Sequence, residues 1–115
     1  MMHGLFDLKG DVNEGDFRRS FELFSEHLQA NIMVLGCRLM RHQAHDGYNA
    51  RPPSTQYYVS IEFTDMDSAE RCWNYIEKND EPQKSLHNAV FSKIQNSRFF
   101  LSSDILHKGF ERILS

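Results

Sequence analysis

The run Tyr57-Tyr58-Val59-Ser60-Ile61-Glu62-Phe63 alternates strictly, with Tyr57, Val59, Ile61 and Phe63 on one side and Tyr58, Ser60 and Glu62 on the other. That is the period-2 pattern of a strand with one buried face. Behind it, within Thr64 to Lys78, Ala69, Cys72, Trp73 and Ile76 recur at the i, i+3, i+4, i+7 spacing of an amphipathic helix. A central strand followed by a helix able to cover its apolar face constrains the fold more than any other feature of the chain.

At 115 residues, 40% hydrophobic and 12% aromatic, the chain can bury one core, and a single domain over 1–115 is expected. Its 13 basic and 16 acidic residues leave a net charge of -3 and form no basic stripe, which argues against nucleic acid as a partner. No apolar run reaches transmembrane length, and the start Met1-Met2-His3-Gly4 lacks the layout of a secretion signal. No membrane partner and a cytoplasmic location are therefore expected. Cys37 and Cys72 lack the close spacing of zinc ligands, and each falls on an apolar face, as small reduced thiols do.

Further strands and helices follow from the same patterns. Gly4, Phe6 and Leu8 alternate with His3, Leu5 and Asp7 in a first strand, which Gly10-Asp11 breaks. Asn13, with Asp16 three residues on, reads as the cap of a helix whose stripe is Phe17, Phe21, Phe24 and Leu28. That helix ends near Asn31, a residue type that tolerates the left-handed C-terminal position. After Ile32-Met33-Val34, Leu35, Cys37 and Leu39 alternate with Gly36, Arg38, Met40 and His42 in a second strand.

Asp46-Gly47 and Arg51-Pro52-Pro53-Ser54 mark a long polar loop before the central strand, and Asp65 or Asp67 caps the helix behind it. Asp80-Glu81-Pro82-Gln83 starts another helix, with Asp80 as N-cap and Leu86, Val90 and Ile94 as its stripe. Arg98 to Ser102 reads as the last strand, and 104–115 as a C-terminal helical tail with Leu106, Phe110 and Ile113 on one face.

The order strand, helix, strand, strand, two helices, strand is the α+β ferredoxin-like split βαβ pattern: a four-stranded antiparallel sheet with its helices on one face. The uncovered face carries His3, Leu5 and Asp7, then Arg38, Met40 and His42, then Tyr58, Ser60 and Glu62, then Arg98, Phe100 and Ser102.

With the junction Ile61-Glu62-Phe63-Thr64-Asp65-Met66-Asp67-Ser68-Ala69-Glu70 and the extra helix before the last strand, the chain resembles the dimeric α+β barrel superfamily, which includes antibiotic-biosynthesis-type monooxygenases and stress-responsive barrel proteins. The resemblance implies a homodimer whose helix-free sheet faces meet and enclose a cavity. One branch of that superfamily degrades haem with an Asn on the first strand, a Trp and a haem-ligating His. The similarly ordered residues here are Asp7, Trp73 and His87, with a carboxylate in place of the amide, the Trp on the core stripe and the His only flanking one. No cofactor is expected.

If Arg38 faces Glu62 and His42 faces Tyr58, one end of the open face holds His3, Arg38 and Glu62, and the other holds Asp7, His42 and Tyr58. A carboxylate beside an imidazole can move a proton. His42 and Tyr58 are thus the candidate catalytic residues, and His3, Asp7, Arg38, Met40, Glu62 and Phe100 the candidate ligand-binding residues. The competing reading is structural, with Arg38 and Glu62 as a cross-strand ion pair and the histidines as interface contacts. A two-histidine, one-carboxylate metal site from His3, His42 and Glu62 is disfavoured because the histidines fall at opposite ends of the sheet.

Trp73 and the phenylalanines of the first helix read as core, and His27, His45 and His107 as surface or loop residues. Phosphate loops and nucleophile elbows are absent. Together with these patterns, the resemblance implies a dimer that binds a small organic molecule, with cofactor-independent oxygenase or isomerase-type chemistry as its enzymatic form. A non-catalytic dimeric binding or regulatory module is the alternative.

Overall fold

The structure, a computed structural model, describes residues 1–31 and 33–109. Its elements run β1 (Met2–Leu8), α1 (Glu14–Ala30), β2 (Gly36–Arg41), β3 (Tyr57–Glu62), α2 (Met66–Glu77), α3 (Gln83–Phe91) and β4 (Ile94–Leu101). The strands form one antiparallel sheet in the order β2-β3-β1-β4, the ferredoxin-like arrangement.

Alternation decides which face is covered. Phe6 of β1 and Tyr57 and Val59 of β3 meet Phe17, Phe24 and Leu28 of α1, Cys72 of α2 and Val90 of α3 in a single buried cluster. Phe6 and Phe17 are the most deeply buried large side chains, and their rings lie 5.3 Å apart. Full burial of one such side chain contributes about 1.5–3 kcal/mol. His27 also crosses between helices, its Nε2 lying 2.6 Å from the Tyr75 hydroxyl.

Local capping sets the helix ends. The Asn13 side chain accepts from the Gly15 and Asp16 amides at 2.7 and 3.3 Å. At α2 the carboxylate of Asp65 accepts from Ser68 N at 2.8 Å, and these bonds to Ser68 hold its pKa below the ordinary carboxylate value.

At several points the structure departs from the sequence expectation. Asp80 is not the N-cap of α3. Pro82 holds that position without a side-chain bond, Asp80 offers only its carbonyl to Lys84 N, and burial of Gln83 and Val90 fixes the helix instead. Asn31 has φ -96° and is not left-handed; its side-chain amide donates to the His27 carbonyl at 2.8 Å and closes the last turn. β4 starts at Ile94, four residues before Arg98, so Ile94 belongs to the strand and not to the stripe of α3; a bulge interrupts the alternation that would have shown this. The register shifts between Leu5 and Asp7, and Asn96 takes φ 56° there, a conformation its side chain tolerates.

Ile105–Gly109 of the expected helical tail are not helical, and 110–115 lie outside the described residues, as does Ile32. Ile105 and Leu106 are 104% and 73% exposed, so neither packs on the domain in a way that would hold a short helix. Among the described residues no helix is long and apolar enough to cross a membrane.

Candidate functional site

On the open face, parity is as expected but register is not. β2 pairs Gly36 with Glu62, Arg38 with Ser60 and Met40 with Tyr58, two residues away from the expected pairing of Arg38 with Glu62 and His42 with Tyr58. A shift by two keeps every side chain on its face, so alternation alone could not detect it. No ion pair joins Arg38 to Glu62 among the described residues. His42 lies past the end of β2, where its amide donates to the Gln56 carbonyl at 2.8 Å.

His3 takes the place expected of His42. Its Nδ1 is in hydrogen-bond contact with the Tyr58 hydroxyl, and its Nε2 lies 2.6 Å from Ser102 Oγ. Its ring stacks on Phe100 at 5.1 Å and 18°. A neutral imidazole donates through one nitrogen and accepts through the other, so the three side chains form a continuous proton path across β3, β1 and the end of β4. Arg38, Ser60, His3 and Phe100 form one row across the sheet, and Met40, Tyr58, Leu5 and Arg98 the next.

Asp7 is a structural clamp. One carboxylate oxygen accepts from Gln56 N at 2.8 Å and the other from Asn96 Nδ2 at 3.1 Å, tying the start of β3 and the β4 bulge to β1. Glu62 stays exposed beside Gly36. Among the described residues no group of three or more His, Cys, Asp or Glu side chains is arranged to hold a metal ion.

On the other side of the sheet, a cavity of about 370 Å³ opens between the strands and the helices. Phe6, Val59 and Ile61 form its floor, and Phe17, Phe21, Trp73, Ile76, His87 and Phe91 close it from the helices. Trp73 is therefore only half-buried at the wall of a cavity rather than part of the buried cluster. The spacing that put it on the α2 stripe was right, but it lies at the edge of that stripe, next to open space.

His87, which the sequence pattern places only at the flank of the α3 stripe, lines this cavity. It stacks on Phe91 at 4.3 Å and meets Phe24 edge-on at 5.6 Å. Burial in this apolar setting pushes its pKa below the ordinary 6.5, so the imidazole is neutral at pH 7. A signal existed: Gln83, Leu86, His87 and Val90 are spaced i, i+3, i+4, i+7, which places His87 on the inner face of α3. Glu77 and the Cys72 thiol are the other ionisable groups of the wall. Burial pushes that thiol up to about 11, and burial with the nearby Cys72 does the same for Cys37, so both are protonated, unreactive thiols.

Another cavity, of about 570 Å³, lies at the end of the sheet beneath the connection from His42 to Gln56. Arg41, His42, His45, Arg51 and Tyr57 line it together with Glu14. Arg41 donates to Glu14 Oε1 through Nη2 at 2.5 Å and Nε at 3.2 Å, and this bond raises its already high pKa. His42 Nε2 is shielded from solvent with no hydrogen-bond partner, a condition that costs about 1–3 kcal/mol.

No curated protein matches the chain in sequence. Among solved structures it is similar to a mutant of SnoaB, a cofactor-independent oxygenase from Streptomyces nogalater, at a TM-score of 0.63 and 14% identity over 93% of this chain and 95% of that one. At3g17210 from Arabidopsis thaliana is as similar, with a TM-score of 0.63 and 6% identity over 92% and 98% of the two chains. A dimeric protein of unknown function and ferredoxin-like fold from Bacteroides fragilis matches at a TM-score of 0.47 and 17% identity, over 86% and 89%. At these identities the first two likenesses establish a shared fold and nothing more. The sequence itself matches a family of unknown function, DUF6614, over residues 1–105, and the chain belongs to that family.

Proposed function

We propose that this chain binds a small, flat, largely apolar organic molecule in the cavity between its sheet and helices, with His87 as the acid–base group. The observation that carries the reading is a cavity of about 370 Å³ walled almost entirely by carbon, with one imidazole held neutral at its edge. That volume lies in the range of ligand sites and far exceeds ordinary packing voids. A neutral imidazole can take a proton from a phenol or an activated C–H, leaving the anion among the apolar side chains of the cavity.

Two outcomes are then open without a redox cofactor. The anion can be reprotonated at another carbon, an isomerisation, or it can give electrons to dioxygen, the oxidant of an oxygenase. SnoaB is a cofactor-independent oxygenase on the same fold, which supports the second outcome by analogy of fold alone. A binding protein without turnover is the second reading, favoured by the scarcity of other ionisable groups in the cavity wall.

The protein is further proposed to work as a homodimer joined through the helix-free sheet face. That face exposes Phe100, with Leu5, Met40 and Tyr58 half-exposed around it, and Arg38 and Glu62 supply opposite charges on it.

The test is a thermal-shift screen with planar phenols, run beside the His87→Gln variant and followed by product analysis with and without dioxygen. Phenols are expected to raise the melting temperature of both proteins, and only the parent should turn them over. If no planar phenol stabilises the parent, or if Phe21→Ala and Trp73→Ala leave the stabilisation unchanged, the cavity is not the site.

A further inference from the structure

We infer that the cavity beneath the His42 to Gln56 connection binds a small molecule through its carboxylate or phosphate group, with Arg51 as the anion anchor and His42 Nε2 as a second contact. This site is separate from the apolar cavity and does not depend on the function proposed there.

Two arginines and one carboxylate line the cavity. Glu14 is taken up by Arg41 through two N–H groups of one guanidinium. Arg51 has no carboxylate within ion-pair distance among the described residues. One positive charge is left over in a concave site, and a guanidinium presents a planar fork that matches the two oxygens of a carboxylate or phosphate.

The histidines supply polar groups of matching kind. His42 Nε2 is shielded and unbonded, which a bound oxyanion would relieve by accepting its N–H. His45 Nδ1 accepts from Gly47 N at 3.3 Å, so in its neutral form the ring carries its proton on Nε2, as a donor. The remaining wall includes Pro52, Pro53 and Tyr57, apolar surfaces against which a ring or short chain can lie. At about 570 Å³ the space holds more than a bare inorganic anion.

The experiment is an NMR titration of the parent with phenyl phosphate, benzoate and the neutral benzyl alcohol, with Trp73 fluorescence followed in parallel. Saturable shifts at Arg51 and His42 are expected with at least one of the two anions and not with benzyl alcohol, while Trp73 emission stays constant. Arg51→Ala should weaken the anion about tenfold or more and Arg51→Lys less, because the ammonium keeps the charge and loses the fork. His42→Gln, which keeps a donor, should bind better than His42→Ala. Arg51 is exposed, so its variants should fold as the parent does. The inference is overturned if neither anion saturates by about 10 mM, if benzyl alcohol shifts Arg51 and His42 as strongly as the anions do, if the anions' shifts centre on Trp73 and His87, or if Arg51→Ala binds the anion as tightly as the parent.

Discussion

The Tyr58 hydroxyl meets His3 Nδ1 diagonally across the β1–β3 pair, for the residue directly opposite His3 is Ser60. The contact therefore depends on strand twist and a long side chain rather than on direct pairing. A double-mutant cycle of Tyr58→Phe and His3→Ala, followed by urea denaturation, should give a coupling of about 1 kcal/mol. A coupling near zero would show that each side chain satisfies itself with water.

Gly4 is held by close approach. A Cβ there would lie 2.6 Å from Phe99 Cε1 and 2.8 Å from Val59 Cγ1. Gly4→Ala should lower stability by about 1–3 kcal/mol in chemical denaturation. Adding Phe99→Leu should recover part of the loss, because that ring is the more exposed of the two neighbours, at 38% against 4% for Val59.

Trp73 is the only tryptophan of the chain and stands at the cavity wall, so its fluorescence reports occupancy of one place. A planar phenol should quench it saturably, with the same midpoint as the thermal shift. Trp73→Ala should be less destabilising than Phe17→Ala, for which about 3–5 kcal/mol is expected from denaturation midpoints. Equal losses would return Trp73 to the buried core.

The His87 pKa lies below its ordinary 6.5 because burial disfavours the imidazolium. The unfolded chain then binds the proton more readily than the folded one. Stability should be unaffected by this group above about pH 6.5 and should fall as pH drops through that value toward the folded pKa. Melting temperatures measured from pH 7.5 to pH 5 should show the fall, and His87→Gln should flatten it.

If the open faces join two subunits, Phe100→Glu should yield a monomer by light scattering, since the charge would be buried opposite an apolar surface. A parent that is itself monomeric at micromolar concentration would remove the dimer from the proposal.

The fold was legible in the sequence wherever one face is buried. The alternation through Tyr57 to Phe63 and the stripe of α1 specify both type and orientation. What escaped was of a different kind. The two-residue shift between β2 and β3 leaves alternation intact, so Arg38 and Glu62 read as partners although Gly36 stands opposite Glu62. The β4 bulge hides a strand start because it breaks the period on which recognition depends. The interest of His87 lies in the empty volume beside it, and no local pattern encodes a void.

The placement of β1 between β3 and β4 has a consequence for the order of assembly. Met2 pairs with Ile61 on one side and Leu101 on the other, so this strand waits for the far end of the chain before its second edge is satisfied. Until then its bare amides and carbonyls are open to pairing with another chain, as with any unprotected edge strand. Closing so long a loop is slow compared with forming α1. Refolding should therefore pass through its most aggregation-prone stage between formation of the β1–β3 pair and arrival of β4, and dilution should raise the yield of native protein.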